Sequence, residues 1–120
     1  MSRVIEQDII YKVCDRTLWQ EAEKAGQFTG AEIDLADGFI HFSTKDQLAS
    51  TLEKHFSGRK DLMLIAVDGK ALLGKIVYEA ARGGTLFPHL YEALSMEQVL
   101  WSKPLSMDEN AAHILPDLTA

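Results

Sequence analysis

The chain is poor in the features that staple, anchor or interrupt a fold. Cys14 is the one cysteine in 120 residues, so no disulfide forms within the chain. Proline occurs three times, which leaves long stretches free to build regular elements. No apolar run approaches the ~20 residues that a membrane-crossing helix needs, and the strongest one covers only residues 62–67. Residues 1–8 lack the apolar segment of a secretory signal. Basic runs are also missing, and the nearest is Ser57-Gly58-Arg59-Lys60. Lys plus Arg is 12 and Asp plus Glu is 18, giving a net charge of −6 and a pI near 5.1. Nucleic acid and anionic membrane demand a positive footprint, so this balance counts against both as partners. Together these absences point to a soluble cytoplasmic protein.

Several chemical signatures are absent too. No GxGxxG, phosphate-loop or GxSxG motif occurs. His41, His55, His89 and His113 show none of the short spacings of zinc motifs, so no metal is assigned. A metal hydrolase would require His41 and His89 to converge from distant positions. Cys14 has no second cysteine beside it and reads as a small core residue.

What remains is an ordinary globular composition, 47% apolar and 25% charged. One domain is expected, with its core over residues 9–105 and polar ends at 1–8 and 107–120. At this size folding removes about two-thirds of the chain's surface from water, so a core forms without a staple.

Residues 9–13 are β-branched and short, and read as a buried strand. A helix follows, capped by Asp15 or by Thr17 with Gln20, and stopped by Gly26. Residues 28–38 are polar and acidic and read as an exposed loop. Residues 38–44 read as a strand in which Phe39, His41 and Ser43 share one side and Ile40, Phe42 and Thr44 the other. Ser43 or Thr44 then caps a helix, Thr44 having Gln47 at capping-box spacing. Leu48, Leu52 and Phe56 form its core stripe, and His55 sits in its last turn, where the helix dipole favours a cation.

Residues 62–68 lack alternation and predict a strand buried on both faces. Strands are also expected over 75–79 and 99–105, with a long loop over 80–94 and a helical turn over 95–98. About five or six strands and two main helices, without regular alternation, imply a mixed α+β domain.

Two segments carry polar side chains that such a fold does not need. The first is Asp37-Gly38-Phe39-Ile40-His41-Phe42-Ser43-Thr44. A histidine in an apolar strand is costly unless hydrogen-bonded. Here two hydroxyls and the N–H groups of a helix start follow it, a setting that attracts anions. The alternative is a buried histidine satisfied by a neighbour, with Ser43 and Thr44 as caps only. The second segment runs from Glu79 to Glu92 and includes Arg82, Gly83, Gly84, Pro88, His89 and Tyr91. Loops this long are usually functional or disordered, and this one is too aromatic for disorder. Arg82 can grip a phosphate or carboxylate, and Tyr91 can stack or donate a hydrogen bond. The alternative is a packed surface loop with an Arg–Glu ion pair.

Ile10-Tyr11-Lys12, Trp19, the segment from Asp37 to Thr44, Arg82-Gly83-Gly84 and Phe87-Pro88-His89-Leu90-Tyr91, in that order, resemble the bacterial domain-of-unknown-function family 952. The resemblance implies a fold rather than a reaction. That fold is ADP-ribosyltransferase-like, a split, strongly bent β-structure around an NAD cleft. In ADP-ribosyl-transferring enzymes a strand histidine contacts the NAD ribose, and His41 matches it as the catalytic position. Thr44 or Tyr91 would help hold the nicotinamide. Such enzymes also use a glutamate near the end of the fold to orient the ribose or nucleophile; Glu92 and Glu97 are open candidates, although relatives resemble FPHLYG, with glycine at position 92. Arg82 and His89 are closer to the pattern of the tRNA 2′-phosphotransferase branch, against which the charge of −6 argues.

The expectation is a polar pocket formed by His41, Ser43, Thr44, Arg82, His89 and Tyr91. It would take a nucleotide-like or phosphorylated small molecule, with NAD as the cofactor the resemblance implies. An active NAD-dependent transferase and a non-catalytic interaction module are the alternatives.

Overall fold

A computed structural model describes residues 8–80 and 84–118. Its centre is a three-stranded antiparallel sheet of β1 (Ile9–Asp15), β4 (Leu62–Asp68) and β8 (Val99–Pro104), with β4 in the middle. β1 and β4 run in register from Ile9↔Asp68 to Asp15↔Leu62. As its unbroken apolar run predicts, β4 is covered on both faces. Ile65 and Val67 point to one side, and Leu62, Leu64 and Ala66 to the other.

Each face has its own helix. α1 (Arg16–Ala25) lays Trp19 and Ala22 on the side of Ile10, Cys14, Ile65 and Val67. Gly26 stops it at φ 83°, in the left-handed region that glycine enters without penalty. α3 (Leu48–His55) covers the other face with Leu48 and Leu52, packed among Tyr11, Val13 and Leu64. Fully burying a side chain of this size stabilises by about 1.5–3 kcal/mol, so the two sandwiched faces carry the fold. The Thr44–Gln47 capping box is present: the Thr44 N–H donates to Gln47 Oε1 at 2.9 Å and opens a 3-10 turn at Lys45–Gln47. At α1, by contrast, Thr17 lies inside the helix, and Asp15 precedes it without a side-chain cap bond.

A second antiparallel sheet has the order β3 (Ile40–His41), β6 (Leu86–Leu90), β5 (Ile76–Ala80). Two short pairs complete the chain: β2 (Gln27–Phe28) with β7 (Leu94–Ser95), and β9 (Ser106–Met107) with β10 (His113–Ile114). The two larger sheets meet at one bridge, where Tyr11 and Ser43 exchange N–H···O bonds of 2.8 Å. The described residues thus form an α+β fold of short antiparallel strands and three α-helices.

Three expectations need correction. Residues 28–38 are not a loop: they contain α2 (Glu32–Asp37), which ends at Gly38 with φ 86°. Of the expected loop over 80–94, residues 81–83 lie outside the described residues, and the rest holds β6 and the first residue of β7. Pro88 is tolerated inside β6 because its nitrogen faces the side where β3 ends, and its carbonyl accepts from the Phe42 N–H at 3.0 Å. Residues 38–44 pair as strand only at β3 and at the Ser43 bridge to Tyr11, while β9 and β10 pair within the stretch read as a polar end.

Candidate functional site

Strand parity sets up the site. Along β1 the even positions Ile10, Lys12 and Cys14 share a face, so Lys12 projects from an apolar strand into the interior. An ammonium buried there needs a counter-charge. Asp34 of α2 supplies it, with Lys12 Nζ 2.9 Å from Oδ1 and 2.8 Å from Oδ2. Lys12 is 5% exposed and Asp34 only 2%.

Asp34 is a hub. Its Oδ2 accepts the Ala31 N–H at 2.7 Å, and its Oδ1 accepts the His41 N–H at 3.0 Å and meets His41 Nδ1 at 2.6 Å. Burial pushes the Asp34 carboxyl up, but the His41 hydrogen bond, the Lys12 charge and hydrogen bond and the Ala31 N–H outweigh it and hold the group at about 2. For Lys12 burial wins, and the ammonium lies below its ordinary range despite Asp34. Gly30 makes room for the hub. It has φ +124°, and a Cβ there would stand 2.8 Å from the Asp34 Cβ. Gly30→Ala is therefore expected to destabilise by about 1 kcal/mol, read as a lower urea midpoint. An unchanged midpoint would show that α2 shifts freely.

His41 is held at both ends. Nδ1 faces Asp34, and Nε2 lies 2.9 Å from Asp37 Oδ2. Across the β3–β6 pairing His41 stands opposite His89, with ring centroids 5.3 Å apart. His89 Nδ1 is 2.8 Å from Glu79 Oε1, and the Tyr91 hydroxyl donates to the same oxygen at 2.6 Å. These two bonds lower the Glu79 carboxyl, and the bond to Glu79 raises the Tyr91 phenol. Phe39 joins the pairs: its ring lies 4.1 Å from that of His89, stacked, and 4.6 Å from that of His41.

A cleft of about 830 Å³ opens between the two larger sheets beside this cluster. His41, Ser43 and His89 line it, so both segments singled out from the sequence contribute. Arg59 and His55 from the α3 end also border it, with Phe56 and Phe87 as apolar wall. One backbone pair opens on it as well. The odd positions of β1 turn away from β4. Tyr11 is satisfied by Ser43, but no described residue takes the N–H and C=O of Val13.

The other expected residues are placed differently. Ser43 is buried, and its Oγ shares a 2.8 Å hydrogen bond with Thr51 Oγ1. Thr44 caps the 3-10 turn and does not line the cleft, nor does Tyr91, which is half exposed over Phe39. Arg82 lies outside the described residues. Glu92 makes an exposed ion pair with Lys75 at 3.2 Å, and neither Glu92 nor Glu97 reaches the cleft. Cys14 borders it, but burial pushes its thiol up to about 12, so it offers no thiolate at neutral pH. Among the described residues no three His, Cys, Asp or Glu side chains converge as a metal cage.

The sequence assigns no site role to four participants: Lys12, Asp34, Asp37 and Glu79. Lys12 was signalled by parity alone, as a charge in an apolar strand. Asp37 precedes His41 by four residues and lies within reach once Gly38 reverses the chain.

The family model described as "Protein of unknown function (DUF952)" matches residues 13–102. This chain belongs to the DUF952 family. The match runs from within β1 to within β8 and so takes in both histidines and the carboxylates that hold them. Solved structures agree with this DUF952 fold. A crystal structure of protein CC0527 from Caulobacter crescentus is 40% identical with a TM-score of 0.83, covering 88% of this chain and 93% of that one. The solution NMR structure of CC0527 gives 40% identity and a TM-score of 0.79, covering 87% and 90%. No curated protein matches this DUF952 chain. No helix among the described residues is long and apolar enough to cross a membrane.

Proposed function

We propose that the cleft between the two sheets binds a nucleotide-like or otherwise phosphorylated small molecule. One observation carries the reading: His41, Ser43 and His89, drawn from two distant segments, line one cleft of about 830 Å³. That lies within the ~300–1,000 Å³ of small-molecule sites, which are mostly apolar with a few placed polar groups. Phe56 and Phe87 supply an apolar wall for a planar base, and Arg59, whose guanidinium pairs with the Asp15 carboxylate at 2.7 Å, is the cation that a phosphate would meet. In the same reading the fold is ADP-ribosyltransferase-like, and NAD is a candidate ligand of the cleft. His41 acts as a brace for the cleft wall, because both of its nitrogens are taken by Asp34 and Asp37.

A thermal-shift screen with NAD, ADP-ribose and inorganic phosphate tests the proposal. A ligand at a hundred times its Kd adds about 2.7 kcal/mol to the native state, so a bound probe raises the melting temperature. Ala36 is exposed and lines the cleft. Ala36→Trp is expected to fill the space and remove the ligand shift while leaving the melting temperature of the free protein unchanged. Absence of any shift with millimolar probe, or a shift that Ala36→Trp leaves intact, would defeat the reading.

A further inference from the structure

The two histidines on the cleft wall are not equivalent. His41 has Nδ1 on Asp34 at 2.6 Å and Nε2 on Asp37 at 2.9 Å, so neither nitrogen is left over. His89 has Nδ1 on Glu79 at 2.8 Å, and no described residue lies within hydrogen-bond distance of its Nε2. The His89 side chain is 8% exposed. Among the described residues the polar side-chain atoms sealed without a partner are the Tyr11 hydroxyl and Trp19 Nε1, and His89 Nε2 is not one of them. His89 lines the cleft, so its ring stands at a space that a small molecule can enter.

We propose that His89 is the group through which the cleft meets its ligand, using Nε2, and that Glu79 and Tyr91 are positioning residues that fix its tautomer. The proposal rests on the small-molecule reading of the cleft. A carboxylate only accepts hydrogen bonds, so Glu79 Oε1 obliges His89 Nδ1 to be the donor. In the neutral ring Nε2 then carries the lone pair. The Tyr91 hydroxyl, 2.6 Å from the same Oε1, fixes the carboxylate, and Phe39, stacked at 4.1 Å, fixes the plane of the ring. A lone pair presented in this way takes a hydroxyl or an amide N–H and is a poor partner for a phosphate oxygen. The chemistry at His89 is thus that of the sugar or base part of a nucleotide-like ligand. The phosphate belongs nearer Arg59, which borders the same cleft.

Two readouts test the assignment without any ligand. The first is the nitrogen-15 spectrum of the imidazole rings at a pH where His89 is neutral. It is expected to show the Nδ1–H tautomer, lost in Glu79→Ala and kept in Glu79→Gln, whose side-chain oxygen still accepts. Glu79 is 39% exposed, so neither variant disturbs the core. The second is acylation by diethylpyrocarbonate, which attacks an unprotonated ring nitrogen and is mapped by peptide mass spectrometry. His89 is expected to react about tenfold faster than His41, since freeing a charge-assisted hydrogen bond costs at least about 1.5 kcal/mol. An Nε2–H tautomer at His89, or His41 reacting as fast as His89, would overturn the assignment. A missing thermal shift with ADP-ribose counts against the small-molecule reading alone.

Discussion

Asp34→Asn is expected to cost about 3–5 kcal/mol, the largest loss from any single polar substitution in this protein, because it leaves the Lys12 ammonium buried without its counter-charge. Lys12 and Asp34 lie in the interior at 2.8–2.9 Å, and Asp34 also satisfies the Ala31 and His41 N–H groups. An amide keeps the shape but has one acceptor oxygen for four donors and no charge. Urea unfolding is the measurement, with the midpoint falling while its denaturant slope is unchanged. Adding Lys12→Met should recover part of the loss, since the uncompensated charge is then gone. A single-variant loss under ~1 kcal/mol would mean that the pair behaves like an exposed salt bridge.

The second large effect concerns acid. The Asp34 carboxyl lies at about 2 in the folded protein against an ordinary 3.8. A depressed folded value means that the unfolded chain takes up the proton first as pH falls. The contribution is therefore full above about pH 4 and drains away between about 4 and 2. At 1.36 kcal/mol per pKa unit it amounts to about 2 kcal/mol. The other carboxylates also titrate in this range, so the test is a difference: wild type should lose about 2 kcal/mol more than Asp34→Asn between pH 5 and 2. Parallel acid limbs for the two proteins would refute the assignment to Asp34.

The parts of the fold set by local rules were legible in the sequence. β4 announced itself as an unbroken apolar run, the α3 stripe followed the helical period, and Gly26 stops α1 where expected. α2 was not legible because its pattern is inverted. It exposes Ile33 and Leu35 at 57% and 67% and buries Asp34, so periodicity read its acidic residues as a solvated loop. β6 was hidden by Pro88, a loop signal unless one knows which side of the strand its nitrogen faces.

For the site, the two segments could be picked out as carrying unneeded polarity, and His41, Ser43 and His89 do meet at the cleft. Their partners could not be read. Asp34 is seven residues from His41 and 22 from Lys12, and Glu79 is ten from His89. Only the tertiary fold brings such positions together, and the placement of α2 rests on the very ion pair that made its sequence look like a loop.

The most direct measurement is a titration of the nitrogen-15-labelled protein with ADP-ribose, followed by amide and imidazole shifts. Binding in the cleft predicts movement at the Val13 and Ser43 amides and the His89 ring, and none at Leu73, which is exposed and does not line the cleft. A spectrum unmoved at millimolar ligand, or shifts confined to surfaces away from Val13, Ser43 and His89, would contradict it.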